Sequence, residues 1–425
     1  MRIAIINGRV LDPAQAAEEP VVRPVFIEDG RIVAALGADA DRTVDANGLY
    51  VFPGLIDAHC HLRDPGYEYK EDIASGTASA ARGGFTTVAC MPNTLPVCDN
   101  AALVHYIREK AARQGKARVL PIGAVSKGQK GQELAEIGLM AEAGIVAISD
   151  DGHPVETSDL MRKAMLYASQ FNMTVISHCE DMSLAAGGHM NEGVWSTRLG
   201  LRGIPDIAES IMVGRDCQIA GYTGLPVHIA HVSCRASVRL IREAKARGVP
   251  VSAETCPHYF ASTEQACDGY NTLAKMNPPL RTPDDVEAII EGLADGTVDV
   301  IATDHAPHHN DEKDLEFALA SNGIIGFETA FGLGFTLLVK TGRMSLKQFI
   351  AAMTVKPAAI LRQKLGSLAV GAPADVLVAD LERPFAVDKR QMLSKSRNTP
   401  YDGMTLVGRP VLTLYEGRIT HDELC

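Results

Sequence analysis

Eight short apolar runs, rich in β-branched residues, recur along the middle of the chain, and each one ends in polar or reactive residues. The segments between them have helical spacing and helix-forming composition. Alternation of strand and helix implies parallel strands, and eight such units predict a (β/α)8 barrel. A doubly wound parallel sheet is the alternative that this alternation allows. The runs are residues 51–61, 85–93, 118–126, 144–152, 173–180, 226–233, 249–258 and 298–308, and the helical segments include residues 99–114, 131–143, 158–170 and 282–294.

Both ends of the chain differ from this pattern and are predicted to be β-rich. Residues 1–50 hold short strand-like segments broken by Asn-Gly and Asp-Gly turns, and residues 366–425 repeat that style. The most economical arrangement is one small β-sandwich domain built from residues 1–52 and 365–425. The barrel, residues 53–364, is then inserted between its two parts.

Composition limits the functions that this chain can have. A net charge of -11 with no basic stripe argues against a nucleic-acid partner, and it means that local positive charge must attract any anionic substrate. No apolar stretch reaches the roughly 18 residues of a membrane span, and the N-terminus lacks a signal-peptide pattern. The nine cysteines form no Cys-x-x-Cys pair and lie mostly in apolar segments, so we expect reduced thiols in a cytoplasmic protein.

Side chains that bind metals follow five of the predicted strands. In the stretch DAHCHLRDPG, His59, His61 and Arg63 occupy alternate positions and would project from one face of an extended strand, with Cys60 turned the other way into packing. A single histidine at a strand end is more often a hydrogen-bonded loop residue, but a barrel would bring all five strand ends to one mouth. Four histidines and two aspartates exceed what one tetrahedral zinc ion needs and suit two ions ~3.5–4 Å apart. The other strand ends supply Asp151 beside Asp150, His178, His231 and Asp304.

The chain resembles the dihydroorotases of the amidohydrolase superfamily, in their bacterial class I form. The resemblance covers nearly the whole chain and implies a cyclic amidohydrolase. Its reaction would be the reversible, zinc-dependent cyclisation of N-carbamoyl-L-aspartate to L-dihydroorotate in de novo pyrimidine (UMP) biosynthesis. The motifs that carry the resemblance are HCHLRDPG (59–66) and those within residues 70–96, 149–155, 254–260, 275–281, 302–308, 326–331 and 366–375.

The resemblance implies six metal ligands for two zinc ions per chain. They are His59, His61 and Asp304 at the more buried ion, His178 and His231 at the second ion, and Asp151 as a bridge beside a hydroxide. Many relatives bridge their ions with a carbamylated lysine, but the run 144–152 contains no lysine, so we expect an aspartate bridge without carbamylation. Asp304 is also the expected catalytic residue, because it is placed to take a proton from the attacking hydroxide and hand it to the leaving nitrogen.

Substrate recognition is expected to follow from charge. Dihydroorotate carries a carboxylate, and the guanidinium of Arg63 offers a planar, permanently charged fork for it. A surface salt bridge for Arg63 and a turn-forming role for Asn93 are the alternatives. Residues 308–326 are predicted either to cover the mouth as a flap or to form a plain surface loop. The substrate contacts that the resemblance implies are His61, Arg63, Asn93, Asn277, His308, Asn322 and Gly323.

Two other functions stay open at this level. Hydantoinases and allantoinases resemble this chain in the barrel and the His-x-His pair, but they use a bridging lysine and lack the Arg63 and Asn93 pair. An inactive scaffold for aspartate transcarbamoylase is the second alternative, and such a protein would be expected to have lost ligands. The resemblance also implies a homodimer, and an active enzyme would still be able to associate with aspartate transcarbamoylase.

Overall fold

Seven short strands precede the barrel in the computed structural model, which describes residues 1–424. Their alternating burial, clearest in β4, follows from the period of two in a strand that has one face on a core. They are β1 (Arg2–Ile6), β2 (Arg9–Val10), β3 (Val21–Val22), β4 (Val25–Glu28), β5 (Arg31–Val33), β6 (Arg42–Asp45) and β7 (Tyr50–Pro53).

The middle of the chain alternates between strands and helices. Its strands are β8 (Leu55–Cys60), β9 (Phe85–Cys90), β10 (Arg118–Pro121), β11 (Ala147–Ile148), β12 (Thr174–Ser177), β13 (Met190–Asn191), β14 (Gly203–Ile204), β15 (Val227–Ile229), β16 (Val251–Thr255) and β17 (Val300–Ile301). Its helices are α1 (Ile73–Arg82), α2 (Ala101–Gln114), α3 (Ile137–Ala143), α4 (Ser158–Ser169), α5 (Met182–Ala185), α6 (Val194–Leu199), α7 (Ile207–Thr223), α8 (Arg235–Ala246), α9 (Pro257–Ala261), α10 (Pro283–Asp295), α11 (Asn310–Lys313), α12 (Phe327–Gly334), α13 (Leu346–Ala352) and α14 (Val355–Ile360). Three strands follow, β18 (Val376–Ala386), β19 (Thr405–Tyr415) and β20 (Arg418–Asp422).

Eight of these strands form a closed parallel barrel. They pair in the orders β10-β9-β8 and β11-β12-β15-β16-β17. Two parallel bridges, Gly123 with Ile148 and Cys60 with His305, join the two groups at both seams. Each barrel strand lies within one of the eight predicted runs, so the predicted (β/α)8 barrel is confirmed and the doubly wound alternative is wrong.

Both faces of the barrel strands are buried, which explains why the runs are apolar almost throughout. Alternate residues enter two different clusters. In β9, Ala89 packs inside the barrel, whereas Val88 packs against the surrounding helices. In β12, Ile176 and Val175 divide in the same way. Small interior side chains close the barrel below its carboxyl end, where the polar residues begin.

The helix signals in the sequence correspond to real caps, with one difference. Thr282 caps α10 by accepting a hydrogen bond from the main-chain N–H of Asp285, and Pro283 takes the first helical position. The segment predicted as helix over residues 131–143 is helical only from Ile137. Before it, Leu134 pairs with Ser126 in an isolated bridge, which holds the preceding residues in a loop.

Strands from both ends of the chain share one sheet. The six-stranded sheet has the order β20-β19-β18-β7-β2-β3, and β7 pairs antiparallel with β18. Apolar residues from both ends form a second core that includes Ile3, Val51, Val376 and Leu412. This joining of the termini has the form that the sequence predicts, and the division at residues 52 and 365 stays a prediction.

Two further expectations concern the surroundings of the protein. Among the described helices, none combines the length and hydropathy needed to cross a membrane. Eight of the nine cysteines are buried free thiols, and the ninth, Cys425, lies outside the described residues. Burial holds the pKa of Cys60 well above its ordinary value, which favours the inert protonated thiol at neutral pH.

Candidate active site

Asp151 stands between two groups of metal-binding side chains at the carboxyl end of the barrel. Its Oδ2 lies 3.3 Å from Nε2 of His59 and 3.4 Å from Nε2 of His61. Asp304, which follows β17, completes this first group, with its Oδ1 2.9 Å from Nε2 of His61 and 3.6 Å from Nε2 of His59. One carboxylate oxygen of Asp151 therefore faces the group that the sequence assigned to the more buried ion.

The other oxygen of Asp151 faces the second group. Its Oδ1 lies 3.3 Å from Nε2 of His231 and 3.6 Å from Nδ1 of His178. These two ring nitrogens are 2.8 Å apart. The neighbouring Asp150 points away from the site and accepts hydrogen bonds from the main chain of Val125 and Ser126. Asp151 is thus the member of the aspartate pair that has the geometry of a bridging ligand.

The donor set fits cations. His59, His61 and Asp151 form one set of ligand atoms within 4.8 Å of one another, and Asp151, His178 and His231 form a second. His59 Nε2 is buried and makes no hydrogen bond, as expected of a nitrogen whose lone pair is reserved for a metal. Nitrogen and oxygen donors in this combination suit zinc.

The electrostatics of the pocket also favour bound cations. Burial opposes the charged form of His59, but the carboxylates of Asp151 and Glu254 outweigh it and hold the pKa of the imidazole well above its ordinary value. Burial likewise opposes charge on His178, yet hydrogen bonds with Asp151 and Glu180 raise its pKa to about 10. The buried carboxylates therefore draw positive charge into the pocket, and a metal ion would supply it by displacing these protons.

Hydrogen bonds fix the ring orientation of three of the four histidines. His59 Nδ1 donates to Glu254 Oε1 at 2.7 Å, and His61 Nδ1 donates to Asn93 Oδ1 at 2.8 Å. His178 Nε2 donates to Glu180 Oε2 at 3.1 Å. In each case the other ring nitrogen faces Asp151 or Asp304, where a bound metal ion would take the place of its proton. Such outer hydrogen bonds set the tautomer and orientation of a metal-binding imidazole.

Glu254 and Glu180 are functional residues that the sequence analysis missed. Glu254 lies in β16, is completely buried and also contacts His228 Nε2 at 3.1 Å. His228 in turn lies 2.8 Å from the Ser252 hydroxyl, so it supports Glu254 from behind and is not a ligand. A glutamate inside a strand of the barrel is the signal that would have identified Glu254, because a buried carboxylate needs partners.

Three residues of the site have backbone conformations that the sequence does not signal. Arg63, His231 and Asp304 have φ angles of 60°, 34° and 44°, in the left-handed region that side chains other than glycine seldom adopt. Such conformations are held by their surroundings and concentrate at functional sites. They turn these side chains into the mouth at the point where each strand has ended.

A cavity of about 590 Å³ opens directly above the ligands. This volume is in the range of small-molecule sites. All seven predicted substrate residues line it, so the structure brings together what the resemblance implied from five separate parts of the chain. They are His61, Arg63, Asn93, Asn277, His308, Asn322 and Gly323. Lys275 and His189 also line the cavity and were not predicted as contacts.

Arg63 faces this cavity without an acidic partner. Its Nε donates to the main-chain oxygen of Pro307 at 3.2 Å, and its guanidinium lies 3.3 Å from Nε2 of His308. No carboxylate of the described residues lies within ion-pair distance of it. Burial and the charge of Arg63 lower the pKa of His308, so His308 is neutral at pH 7. The alternative role of Arg63, a surface salt bridge, is therefore not observed, and the guanidinium is available to an anionic ligand.

Asn277 presents an acceptor to the same cavity. Its amide nitrogen donates to Glu180 at 3.1 Å, and its Oδ1 is buried with no hydrogen-bond partner. A buried oxygen in that state is costly unless a ligand supplies a donor. Glu180 thus orients both His178 and Asn277, and it ties the second group of ligands to the wall of the cavity.

Comparison with known proteins agrees with this geometry. The family model described as dihydro-orotase-like matches residues 48–237. The chain is 55% identical over 423 residues to the dihydroorotase of Acetivibrio thermocellus, covering 99% of each chain. It is 56% identical over 426 residues to the dihydroorotase of Syntrophotalea carbinolica, again covering 99% of each.

The chain belongs to the dihydroorotase family.

Members of this family are metal-dependent cyclic amidohydrolases, so the chain is an enzyme of that class. Solved structures resemble it more distantly. The L-hydantoinase (dihydropyrimidinase) of Arthrobacter aurescens has a TM-score of 0.89 at 25% identity and covers 99% of this chain, which covers 96% of it. A D-hydantoinase has a TM-score of 0.86 at 24% identity, with 100% of this chain and 96% of that chain covered. The second likeness shows the shared fold alone.

Proposed function

We propose that this site catalyses the reversible cyclisation of N-carbamoyl-L-aspartate to L-dihydroorotate, with two zinc ions bridged by Asp151. One observation with two parts supports the proposal. Asp151 directs one carboxylate oxygen to each histidine group, and the unpaired guanidinium of Arg63 faces the cavity above them. The first feature suits a pair of metal ions, and the second suits a substrate that carries a carboxylate.

The ligand set determines what the metal would contribute. His59, His61 and Asp304 would hold one ion, and His178 with His231 would hold the other. When bound, zinc lowers the pKa of a water molecule towards ~7 and polarises an amide carbonyl. Zinc is proposed on the basis of its nitrogen and oxygen donors, and two ions on the basis of the two histidine groups. The run that supplies Asp151 holds no lysine, so no carbamylated lysine is required.

Asp304 is proposed to carry the proton. Hydrogen bonding with His61 and the charge of His59 overcome its burial and lower the pKa of the carboxyl to about 2, so it is ionised and able to accept. In the hydrolytic direction it takes the proton of the attacking oxygen and passes it to the ring nitrogen that leaves. In the biosynthetic direction it returns that proton. Because its pKa is low, Asp304 is ionised at rest and would hold the proton only transiently.

The remaining residues are proposed to orient the substrate. Arg63 binds the carboxylate through charge-assisted hydrogen bonds, with Asn93 and neutral His308 beside it. The free Oδ1 of Asn277 accepts a hydrogen bond from an N–H of the ring. Asn322 and Gly323 contribute main-chain groups. These contacts distinguish dihydroorotate from hydantoins and allantoin, which lack the ring carboxylate.

A substrate panel tests this proposal. The purified chain is loaded with zinc, its metal content is measured, and dihydroorotate, a hydantoin and allantoin are compared as substrates. Turnover of dihydroorotate, together with cyclisation of N-carbamoyl-L-aspartate, is the expected result. Preferential turnover of the hydantoin would favour the rival hydrolase, and no turnover by the metal-loaded chain would favour the scaffold.

Partners beyond the substrate are proposals from the resemblance. A homodimer is expected, and sedimentation equilibrium tests it. Co-sedimentation with aspartate transcarbamoylase tests the association between the two proteins. A cytoplasmic location is expected from the reduced cysteines and is tested by cell fractionation.

A further inference from the structure

Two buried lysines lie beside the substrate cavity without acidic partners. Lys275 and Lys313 are 5% and 4% exposed. No carboxylate of the described residues lies within ion-pair distance of either ammonium group. Lysine is seldom buried in this way, because removing an ammonium group from water is costly unless other groups compensate.

The compensating groups are main-chain carbonyls. Lys275 Nζ donates to the oxygens of Ala318 at 3.0 Å and Ala320 at 2.7 Å. Lys313 Nζ donates to the oxygens of Ser321 at 2.7 Å and Gly323 at 3.2 Å. It also reaches the main-chain oxygen of Lys275 at 3.3 Å, which joins the two lysines.

Four of these five acceptors belong to one segment, residues 318–323, which we call the wall segment. It lies in no helix or strand. Most of its residues line the substrate cavity, including Asn322 and Gly323. Other hydrogen bonds also hold this segment. The N–H groups of Leu319 and Ala320 donate to the oxygen of Glu316 at 2.8 and 3.0 Å, and those of Ser321 and Gly323 donate to the oxygens of Glu312 and Lys275, both at 2.9 Å. The amide nitrogen of Asn398 donates to the oxygen of Gly323 at 3.0 Å. The two lysine side chains add four hydrogen bonds, all of them to main-chain oxygens of this segment.

The cost of burying these two lysines appears in their pKa values. Burial lowers the pKa of Lys275, and burial with the neighbouring charge of Lys275 lowers the pKa of Lys313 to about 7. A methionine would fill the same space without that cost. Burial of the two ammonium groups therefore lowers the stability of the folded protein, whereas their hydrogen bonds order the main chain beside the cavity.

We propose that Lys275 and Lys313 are positioning residues for substrate binding, which hold the wall segment so that Asn322 and Gly323 line the substrate cavity in a fixed position. This inference rests on the dihydroorotase reaction proposed above. Neither lysine takes part in the chemistry, and neither contacts a metal ligand. Their contribution is therefore to the binding of ground state and transition state alike, which changes KM and leaves kcat in place.

Three variants test the inference. Lys275→Met and Lys313→Met keep most of the side-chain volume and remove the donors. Lys356→Met is the matched control, because Lys356 is another partly buried lysine whose pKa is lowered by burial. It lies in α14, which packs against β8 at the start of the barrel strand, away from the cavity.

Both test variants are expected to raise KM for dihydroorotate about tenfold, the equivalent of one lost charged hydrogen bond, with kcat within about threefold of the wild type. Metal content is expected to stay unchanged in all three variants, and the control is expected to keep the wild-type KM. An unchanged KM in either folded test variant, or an equal loss of kcat, would overturn the inference. A wild type that fails to turn over dihydroorotate would instead contradict the proposed function.

Hydrogen–deuterium exchange of the wild type tests the inference without any substitution. The amides of Ser321 and Gly323 are expected to exchange at least ~100-fold more slowly than in an unstructured peptide, because the wall segment is already ordered in the free enzyme. Exchange at the rate of an unstructured peptide would show that the lysines do not hold this segment, and it would overturn the inference whatever the variants do.

Discussion

Asp151 is the residue on which both halves of the metal centre depend, since its two oxygens face different histidine groups. We expect Asp151→Ala to reduce the bound metal to about one ion per chain and to abolish turnover, because the second group retains only two ligands. Atomic absorption on the dialysed variant measures the loss. Metal content equal to that of the wild type would contradict the bridge.

Glu254 acts on the metal through His59 without touching it. Glu254→Gln keeps the shape of the side chain but removes the charge that holds the imidazole Nδ1–H. We expect metal affinity to fall about 10–100-fold. Competition with a chelator measures the change. Glu264→Gln is the control, because Glu264 is a buried glutamate bonded to Asn191 away from the ligands; equal effects in the two variants would mean a general loss of stability.

Arg63 is proposed to select the substrate and to have no part in holding the metal. We expect Arg63→Met to raise KM for dihydroorotate about 100-fold, the loss typical of a charge-assisted pair, with metal content unchanged. Steady-state kinetics measures KM, and metal analysis of the same preparation measures the metal content. Arg239→Met, at an exposed position on α8, is the control. Retained affinity in Arg63→Met would exclude the carboxylate clamp.

At the scale of elements, the short helix α11 and the wall segment make stability depend on pH through Lys313. Its pKa in the folded protein is about 7, below the ordinary value of 10.5. Between these values the unfolded chain binds more protons, so the contribution of Lys313 to stability rises as the pH rises from about 7 towards 10.5. Below pH 7 Lys313 is protonated in both the folded and the unfolded chain, so burial of its charge lowers the stability by the full amount.

Urea unfolding of the metal-loaded wild type and Lys313→Met at pH 7 and pH 9 isolates this effect. We expect the wild type to gain stability relative to the variant on going to the higher pH. The other titrating groups are common to both proteins and cancel in the difference. An identical pH response would show that Lys313 titrates normally in the folded protein.

The elements themselves were largely predictable, because their signals are local. Apolar runs gave the eight barrel strands, and Thr282 with Pro283 marked the start of α10. The start of α3 was missed because the bridge between Ser126 and Leu134 overrides helix-forming composition. The left-handed conformations of Arg63, His231 and Asp304 could not be foreseen, since only the packed barrel holds residues of these types in that region.

At the scale of the whole molecule, the barrel explains why distant ligands could be predicted at all. Parallel strands deliver their carboxyl ends to one mouth, so a residue type at each strand end is enough to predict a shared site. Supporting residues do not follow this rule. Glu254 lies within a strand, and Lys275 and Lys313 act through main-chain carbonyls, so only the three-dimensional packing reveals what they support.

The joined termini give the molecule its second core. β7 and β18 pair across more than three hundred residues of sequence, so we expect the small β-domain to form only when both ends of the chain are present. We expect removal of residues 366–425 to expose the partner face of β7 and to yield insoluble protein, even though every metal ligand is retained. Solubility on expression measures this. A soluble truncated chain that binds metal would show that the barrel folds independently.

Anomalous diffraction at the zinc edge from a crystal soaked with dihydroorotate locates the metal ions and the substrate in one experiment. We predict two anomalous peaks ~3.5–4 Å apart, one on each side of Asp151, with the substrate carboxylate on Arg63. A single peak, or a substrate carboxylate bound away from Arg63, would contradict it.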